Sequence, residues 1–185
     1  VTVGRQIKSK GIELCLQAVA NLKNEYSIKY HIIGDGPDLE YFQKVAKKLG
    51  LKDEVSFHGK LNNTEVLRML LSSDIFLFPS ESEGFPKAVL EALACGLPVI
   101  CSDASVLPKM VGKSQSGLVL SERTAQEIGN SLKLLLNNKQ MRDKMTENAF
   151  ITAKQYSLEK WVDEIAEGMS KTFNSSFGRK REIIK

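Results

Sequence analysis

The sequence predicts an α/β fold in which helices cover both faces of a doubly wound parallel sheet. Short apolar segments alternate along the chain with longer segments whose apolar residues recur at helical spacing. The chain has 185 residues, of which 42% are hydrophobic and 26% are charged, as is typical of one globular domain. Several of the short segments end at glycine, proline or serine, as strands do before a turn.

The individual elements follow from this alternation. Residues 74–78 are a short apolar run that ends at Pro79, which predicts a buried parallel strand. Residues 86–95 place apolar side chains at helical spacing up to Gly96, which predicts a helix. By the same criteria, strands are predicted near 1–3, 30–34, 55–58, 75–78, 98–101 and 118–120, and helices near 11–23, 38–49, 63–72, 86–95 and 124–136.

Two further helices are predicted beyond the sheet, near residues 139–155 and 158–173. The second of them carries Trp161, Ile165 and Met169 on one face. Both helices are expected to pack on the outside of the sheet and to complete a domain that spans residues 1–173.

The net charge of +4 lies in the last fifteen residues, which hold five basic residues and one acidic residue. The rest of the chain is balanced, so nothing in the charge distribution indicates a nucleic-acid partner. Residues 174–185 are interpreted as a basic, flexible tail. Peripheral contact of this tail with anionic lipid headgroups is the alternative.

Three cysteines, Cys15, Cys95 and Cys101, lack any paired or metal-like spacing. They predict buried thiols in a reducing compartment. No apolar stretch approaches the length of a membrane-spanning helix, and no signal peptide is visible. These observations favour a cytoplasmic location, at the inner face of the membrane if the tail contacts lipid.

Two carboxylates eight residues apart, Glu83 and Glu91, mark the candidate site. Glu83 follows the strand predicted at 75–78, and Glu91 lies within the helix predicted at 86–95. Open α/β sheets bind ligands at the carboxyl ends of their strands, which is where Glu83 is expected. The spacing alone is weak evidence, because such a pair also arises by chance.

Two other segments have the pattern of strand exits that bind or shape a ligand site. Residues 1–11, Val-Thr-Val-Gly-Arg-Gln-Ile-Lys-Ser-Lys-Gly, predict a strand followed by a basic loop. Gly4 would let a ligand approach the backbone, while Arg5 and Lys10 would offer a planar fork and a point charge to diphosphate oxygens. Residues 31–37, His-Ile-Ile-Gly-Asp-Gly-Pro, form a strand-to-helix turn whose role is either structural or ligand-binding.

In order and spacing, these segments resemble those of the retaining GT-B glycosyltransferases with an E-x7-E motif, that is, glycosyltransferase family 4 or glycosyl transferases group 1. Residues 79–103 resemble the family's "PS..EGFP..LLEAMA.G.PVI.SD", residues 3–11 its "VGR....KG", and residues 32–37 its "IIGDGP". The resemblance implies the Rossmann-like C-terminal, donor-binding domain of such an enzyme. The chain begins at Val1, within a predicted strand, so we expect the N-terminal acceptor domain to be missing from it and sugar transfer by the chain alone to be negligible.

The resemblance also implies roles for individual residues. Arg5 and Lys10 match the pair that neutralises charge on the departing diphosphate, and Glu83 matches the glutamate near the donor sugar; these three are the expected catalytic residues. Glu91 matches the glutamate that accepts hydrogen bonds from ribose hydroxyls.

Further donor contacts are expected from the backbone N–H groups of residues 84–87 and from the exit of the third strand, where the base packs in the family. His58 is equally interpreted as plain scaffold. The full set of expected donor-binding residues is Gly4, His58, Lys60, Gly84, Phe85, Pro86, Lys87 and Glu91.

The implied function is transfer of a hexose, with retention, from a nucleotide-diphosphate sugar to a glycan or lipid-linked acceptor in polysaccharide or glycolipid biosynthesis. UDP-sugars are the first expectation and GDP-mannose the second; without an Asp-x-Asp motif, neither a metal nor a cofactor is expected.

Residues 104–109, Ala-Ser-Val-Leu-Pro-Lys, depart from the family's Gly-Gly and Pro-Glu pattern, so no role is carried to that loop. The alternatives are a non-catalytic nucleotide-binding or interaction module of the same fold and a GT-B epimerase.

Overall fold

The structure is a computed structural model and describes residues 1–156. Within these residues, each of the first four strands is followed by a helix, a short π-helical turn links the fifth strand to the sixth, and two helices follow the sixth strand. The strands are β1 (Thr2–Val3), β2 (Tyr30–Ile33), β3 (Val55–Phe57), β4 (Phe76–Phe78), β5 (Val99–Cys101) and β6 (Gly117–Val119). The helices are α1 (Ile12–Leu22), α2 (Leu39–Lys48), α3 (Asn63–Leu71), α4 (Lys87–Ala94), α5 (Ala125–Asn137) and α6 (Lys139–Gln155).

The strands form two parallel three-stranded units, β1-β2-β3 and β4-β5-β6, which adjoin at β1 and β4. The Leu77 N–H donates to Val1 O at 2.9 Å, and the Val1 amino group donates to Ile75 O at 2.8 Å. This is the hydrogen-bond pattern of a parallel pair. The strand order across the described residues is therefore 3-2-1-4-5-6, and this order confirms the predicted fold class, a doubly wound Rossmann-like sheet.

Helices bury their apolar stripes on both faces of the sheet. On one face, α1 packs against α5 and α2, and its side chains Leu16 and Val19 share a core with Ile32 of β2. On the other face, α4 packs against α6, and Val89 and Leu93 share a second core with strand residues. The sheet is thus covered on both sides, which explains why its central strands read as continuous apolar runs.

The elements predicted within residues 1–156 are confirmed, with boundary differences of one or two residues. The strand predicted at 118–120 begins one residue earlier, at Gly117. This glycine pairs with Val99, and an added Cβ would lie 1.9 Å from Val99 O, so here glycine belongs to the strand rather than to a turn. Two short helical turns were not predicted, a 3-10 turn at Lys8–Lys10 and a π-helical turn at Pro108–Gly112.

The predicted helix at 158–173 and the basic tail at 174–185 lie outside the described residues, and they stay predictions together with the domain limit at residue 173. Of the helices within residues 1–156, none combines the length and the apolar character needed to cross a membrane.

The turn after β2 packs directly on the loop that leaves β1. Gly34 has φ +127°, and an added Cβ would lie 1.9 Å from Gly4 O. Gly36 also lies too close for a side chain, because an added Cβ would fall 2.4 Å from Gln6 O. Both glycines are therefore needed for the close approach of two backbones.

Replacing Gly34 with alanine is expected to lower the free energy of unfolding by about 2 kcal/mol. The new Cβ must displace the Gly4 backbone, and residue 34 must keep a positive φ that alanine disfavours. Gly129, inside α5, is the matched control, since its added Cβ would meet open space. Gly129→Ala is expected to raise the free energy of unfolding by roughly 0.5–1 kcal/mol. Urea unfolding followed by circular dichroism measures the free energy of unfolding of both variants. Equal stability of the two would contradict the close packing of Gly34 against Gly4.

Candidate functional site

The candidate site lies where the strand order reverses, at the carboxyl ends of β1 and β4. Residues 4–11 leave β1 and residues 79–86 leave β4; we call these segments the β1 loop and the β4 loop. In doubly wound sheets this reversal opens a crevice that binds ligands. The two loops carry seven of the expected site residues, including Arg5, Lys10 and Glu83.

The centre of the site is an ion pair between Lys10 and Glu83, which joins the β1 loop to the β4 loop. Their side chains are 20% and 10% exposed, so the pair is shielded from solvent on most sides. The Lys10 ammonium also lies 5.2 Å from the ring centroid of Phe78, the last residue of β4. A partly buried charge pair of this kind interacts more strongly than an exposed one, because less water screens it.

The backbones of the two loops are in direct contact. Gly11, which precedes α1, has φ +71°, and an added Cβ would lie 2.4 Å from Pro79 O. The Glu81 N–H donates to Ser9 O at 2.8 Å. Glycine at position 11 therefore allows the end of the β1 loop to pack against the beginning of the β4 loop.

Arg123, which follows β6, holds both loops and was not identified from the sequence. Its guanidinium donates to Pro79 O at 2.6 Å, to Ser9 O at 3.1 Å and to the Glu81 carboxylate at 2.9 Å. The one signal available in the sequence is its position after a predicted strand, which places it at the same edge of the sheet as Glu83. The β4 loop is held at a second point by the residue after β5, since the hydroxyl of Ser102 donates to Ser80 O.

The Gly34–Pro37 turn supports the β1 loop. The Gln6 N–H donates to Asp35 O at 2.9 Å, and the Asp38 N–H donates back to Gln6 O at 3.1 Å. The carboxylate of Asp38 accepts the Lys8 N–H at 2.9 Å. Of the two roles left open for this turn, these contacts establish the structural one: the turn fixes the loop on which Arg5 stands.

Glu91 lies one turn inside α4, and its side chain is 40% exposed. It forms an i,i+4 ion pair of 3.3 Å with Lys87, whose side chain is 77% exposed. Such an exposed pair contributes little to stability, so Glu91 can readily give up Lys87 for another partner. Burial, and then the nearby Glu91 carboxylate, raises the pKa of the Cys95 thiol one turn further along the helix.

Of residues 84–87, whose backbone N–H groups are expected to contact the donor, two offer no free N–H in this structure. Pro86 has no N–H, and the Lys87 N–H already donates to Phe85 O at 2.9 Å. The N–H groups of Gly84 and Phe85 are the ones left in that segment. Phe85 is 59% exposed just before α4, whereas the next residue, Pro86, is buried.

His58 and Lys60 lie at the exit of β3, beside the turn after β2. The Gly34 N–H donates to Gly59 O at 2.7 Å, so the exits of β1, β2 and β3 are contiguous. His58 Nε2 lies 3.1 Å from Nδ1 of His31, whereas Lys60 is exposed. The contact with His31 gives His58 a structural role; the structure does not bring His58 or Lys60 against the Lys10–Glu83 pair.

The His31–His58 contact makes the folded chain sensitive to acid. Burial lowers the pKa of His31 below its usual 6.5, and the nearby His58, amino terminus and Lys29 lower it further. The unfolded chain therefore binds this proton more readily than the folded chain. The stabilising contribution of neutral His31 is present above pH 6.5 and is lost as the pH falls through the lowered pKa.

We therefore expect the free energy of unfolding to fall between pH 7.5 and pH 5.5, and to fall less in a His31→Gln variant. Urea unfolding at the two pH values measures this difference. The same pH dependence in both proteins would show that His31 does not titrate as this geometry requires.

Comparison with known proteins gives the family. The family model described as "Glycosyl transferases group 1" matches residues 1–152. Over 132 residues the chain is 35% identical to the putative teichuronic acid biosynthesis glycosyltransferase TuaC of Bacillus subtilis, covering 71% of this chain and 31% of that protein. The chain spans less than half the length of the first curated relatives it matches.

Solved structures agree with this assignment. The C-terminal domain of the group 1 glycosyl transferase LpcC from Francisella tularensis superposes with a TM-score of 0.75 at 25% identity, covering 84% of this chain and 83% of that chain. Anabaena HepE, solved in complex with UDP and glucose, superposes with a TM-score of 0.82 at 21% identity, covering 92% of this chain and 47% of that chain. The fold is therefore the Rossmann-like domain of GT-B glycosyltransferases, and the chain belongs to the family of glycosyl transferases group 1.

Proposed function

We propose that this chain is the donor-binding domain of a glycosyltransferase that moves a hexose, with retention, from a nucleotide-diphosphate sugar to a glycan or lipid-linked acceptor. The observation that carries the proposal is the partly buried Lys10–Glu83 pair at the junction of β1 and β4. It provides a held cation and a held carboxylate side by side at the edge of the sheet where ligands bind. The family membership makes transfer of a sugar the reaction to expect.

The donor diphosphate is assigned to the β1 loop. Arg5 is exposed at the exit of β1, and Lys10 lies at the other end of the same loop, just before α1. When the bond between the sugar and the diphosphate breaks, negative charge grows on the phosphate oxygens. Two cations at the same edge of the sheet would stabilise that charge in the transition state, and for this reason we propose a mechanism that needs no metal ion.

The sugar and the ribose are assigned to the two glutamates. Glu83, held by Lys10, would face the hexose, while the N–H groups of Gly84 and Phe85 are free to bind its hydroxyls or the phosphate. The half-exposed Glu91 would exchange its weak contact with Lys87 for two ribose hydroxyls. The diphosphate would leave first, and the acceptor hydroxyl would attack from the same face of the sugar.

A UDP-sugar is the proposed donor, with GDP-mannose second, and a surface polysaccharide or glycolipid is the proposed product. HepE was solved with UDP and glucose, and TuaC is named for teichuronic acid biosynthesis. Since the chain spans under half of its first relatives, the acceptor is assigned to a second domain of the whole enzyme.

Arg5→Ala is expected to weaken binding of UDP by about tenfold and to leave binding of uridine unchanged, because the guanidinium contacts phosphate. Glu91→Ala is expected to weaken UDP and uridine by the same factor, because the carboxylate contacts ribose. Backbone amide NMR titrations with UDP, GDP, ADP and uridine in the presence of EDTA measure both effects.

Lys44→Ala, on the exposed surface of α2, is the matched control and should bind as the wild-type chain does. If Arg5→Ala and Glu91→Ala both bind UDP with wild-type affinity, the roles assigned to Arg5 and Glu91 are wrong. An absence of shifts in the wild-type chain with every nucleotide would mean that donor binding needs the rest of the enzyme or that the chain is a non-catalytic module of the same fold.

A further inference from the structure

We propose that Arg123 is a positioning residue that holds Lys10 and Glu83 in the geometry needed to bind the donor. The inference rests on the proposed function, because it concerns the same donor site. Arg123 contacts neither member of the pair. It binds the backbone on the N-terminal side of each, so it acts through the two loops.

Three acceptors from two loops converge on one guanidinium. Ser9 O belongs to the residue before Lys10, while Pro79 O and the Glu81 carboxylate precede Glu83 in the β4 loop. Ser9 O also accepts the Glu81 N–H, so a single carbonyl ties the two loops to each other and to Arg123. A planar fork can satisfy three acceptors in fixed directions, which a lysine ammonium on a flexible stem cannot do.

Arg123 also separates the charges of two neighbouring glutamates. Glu81 and Glu83 are two residues apart, and each is paired with its own cation: Arg123 with Glu81, and Lys10 with Glu83. Without Arg123, the Glu81 carboxylate would lack its partner beside the pair. Lys10 would then be drawn toward two carboxylates instead of one.

The base on which Arg123 stands is rigid. The next residue, Thr124, caps α5 by accepting the Glu127 N–H at 3.2 Å. α5 in turn packs against α1, the helix that begins directly after Lys10 and Gly11. Arg123 therefore links two fixed helices to the two loops, and its side chain is only 26% exposed.

The test is a double-mutant cycle on the 185-residue chain, with UDP affinity measured by isothermal titration calorimetry. Arg123→Lys is expected to weaken UDP binding by about tenfold in the wild-type background and by less than about twofold when Lys10 is already methionine. In a Glu91→Ala background the loss should stay near tenfold, because the ribose contact does not depend on Arg123. An equal loss in all three backgrounds would mean that Arg123 acts on stability alone and would overturn the proposal.

A second measurement keeps the result independent of any effect on folding. In the ligand-free Arg123→Lys chain, the backbone amide resonances of Lys10 and Glu83, both remote from residue 123 in sequence, are expected to shift while the resonances of α6 stay in place. Unmoved Lys10 and Glu83 resonances would overturn the proposal.

Wild-type chain that binds UDP, with Arg123→Lys binding it equally well, would overturn the role of Arg123 alone. Wild-type chain that binds neither UDP nor GDP would overturn the donor site as well.

Discussion

The junction of β1 and β4 is the constraint on which the site depends. The Val1 amino group donates to Ile75 O and the Leu77 N–H donates to Val1 O, and these two hydrogen bonds join two three-stranded units into one sheet. The strand order runs outward from this junction in both directions. Every strand then ends at the same edge, since all of the pairs are parallel. Lys10 and Glu83, more than seventy positions apart in the sequence, therefore meet at this edge because of the parallel topology alone.

Close backbone approach sets how tightly the strand exits fit together. Gly34 and Gly36 bring the turn after β2 against the β1 loop, and Gly11 brings the β1 loop against Pro79. In each case a Cβ would overlap a backbone oxygen, so the geometry tolerates no other residue without a shift of the chain. The rigidity of the site therefore comes from backbone contact, and the side chains Lys10, Glu83 and Arg123 act on a framework that is already fixed.

The sequence predicts the fold class, the strands, the helices and the residues of the candidate site, because each leaves a local pattern: an apolar run, a helical period or a family motif. The strand order and the Lys10–Glu83 ion pair come from the structure. Beyond its place after a predicted strand, Arg123 leaves no such pattern, since its three acceptors are two backbone carbonyls and a carboxylate outside the E-x7-E motif. The role of the Gly34–Pro37 turn stayed open for a similar reason, because its partners lie in a loop thirty residues away. The sequence places residues 84–87 at the start of a helix but does not show which of their N–H groups are free. Pro86, just before α4, has no N–H, and the Lys87 N–H donates to Phe85 O.

Glu83 and Glu91 have the same chemistry but different environments, and this difference supports the different roles proposed for them. Glu83 is 10% exposed and paired with a cation that a neighbouring aromatic ring also holds, so its position is fixed before a ligand arrives. Glu91 is 40% exposed, and its partner Lys87 is 77% exposed, so exchanging that partner costs little. Under the proposed assignment, a fixed carboxylate suits the reacting sugar, where misplacement reduces the rate, whereas an exchangeable one suits the ribose, which must enter and leave. Arg123 supplies Glu81 with a cation of its own, so each of these two carboxylates in the β4 loop is paired separately.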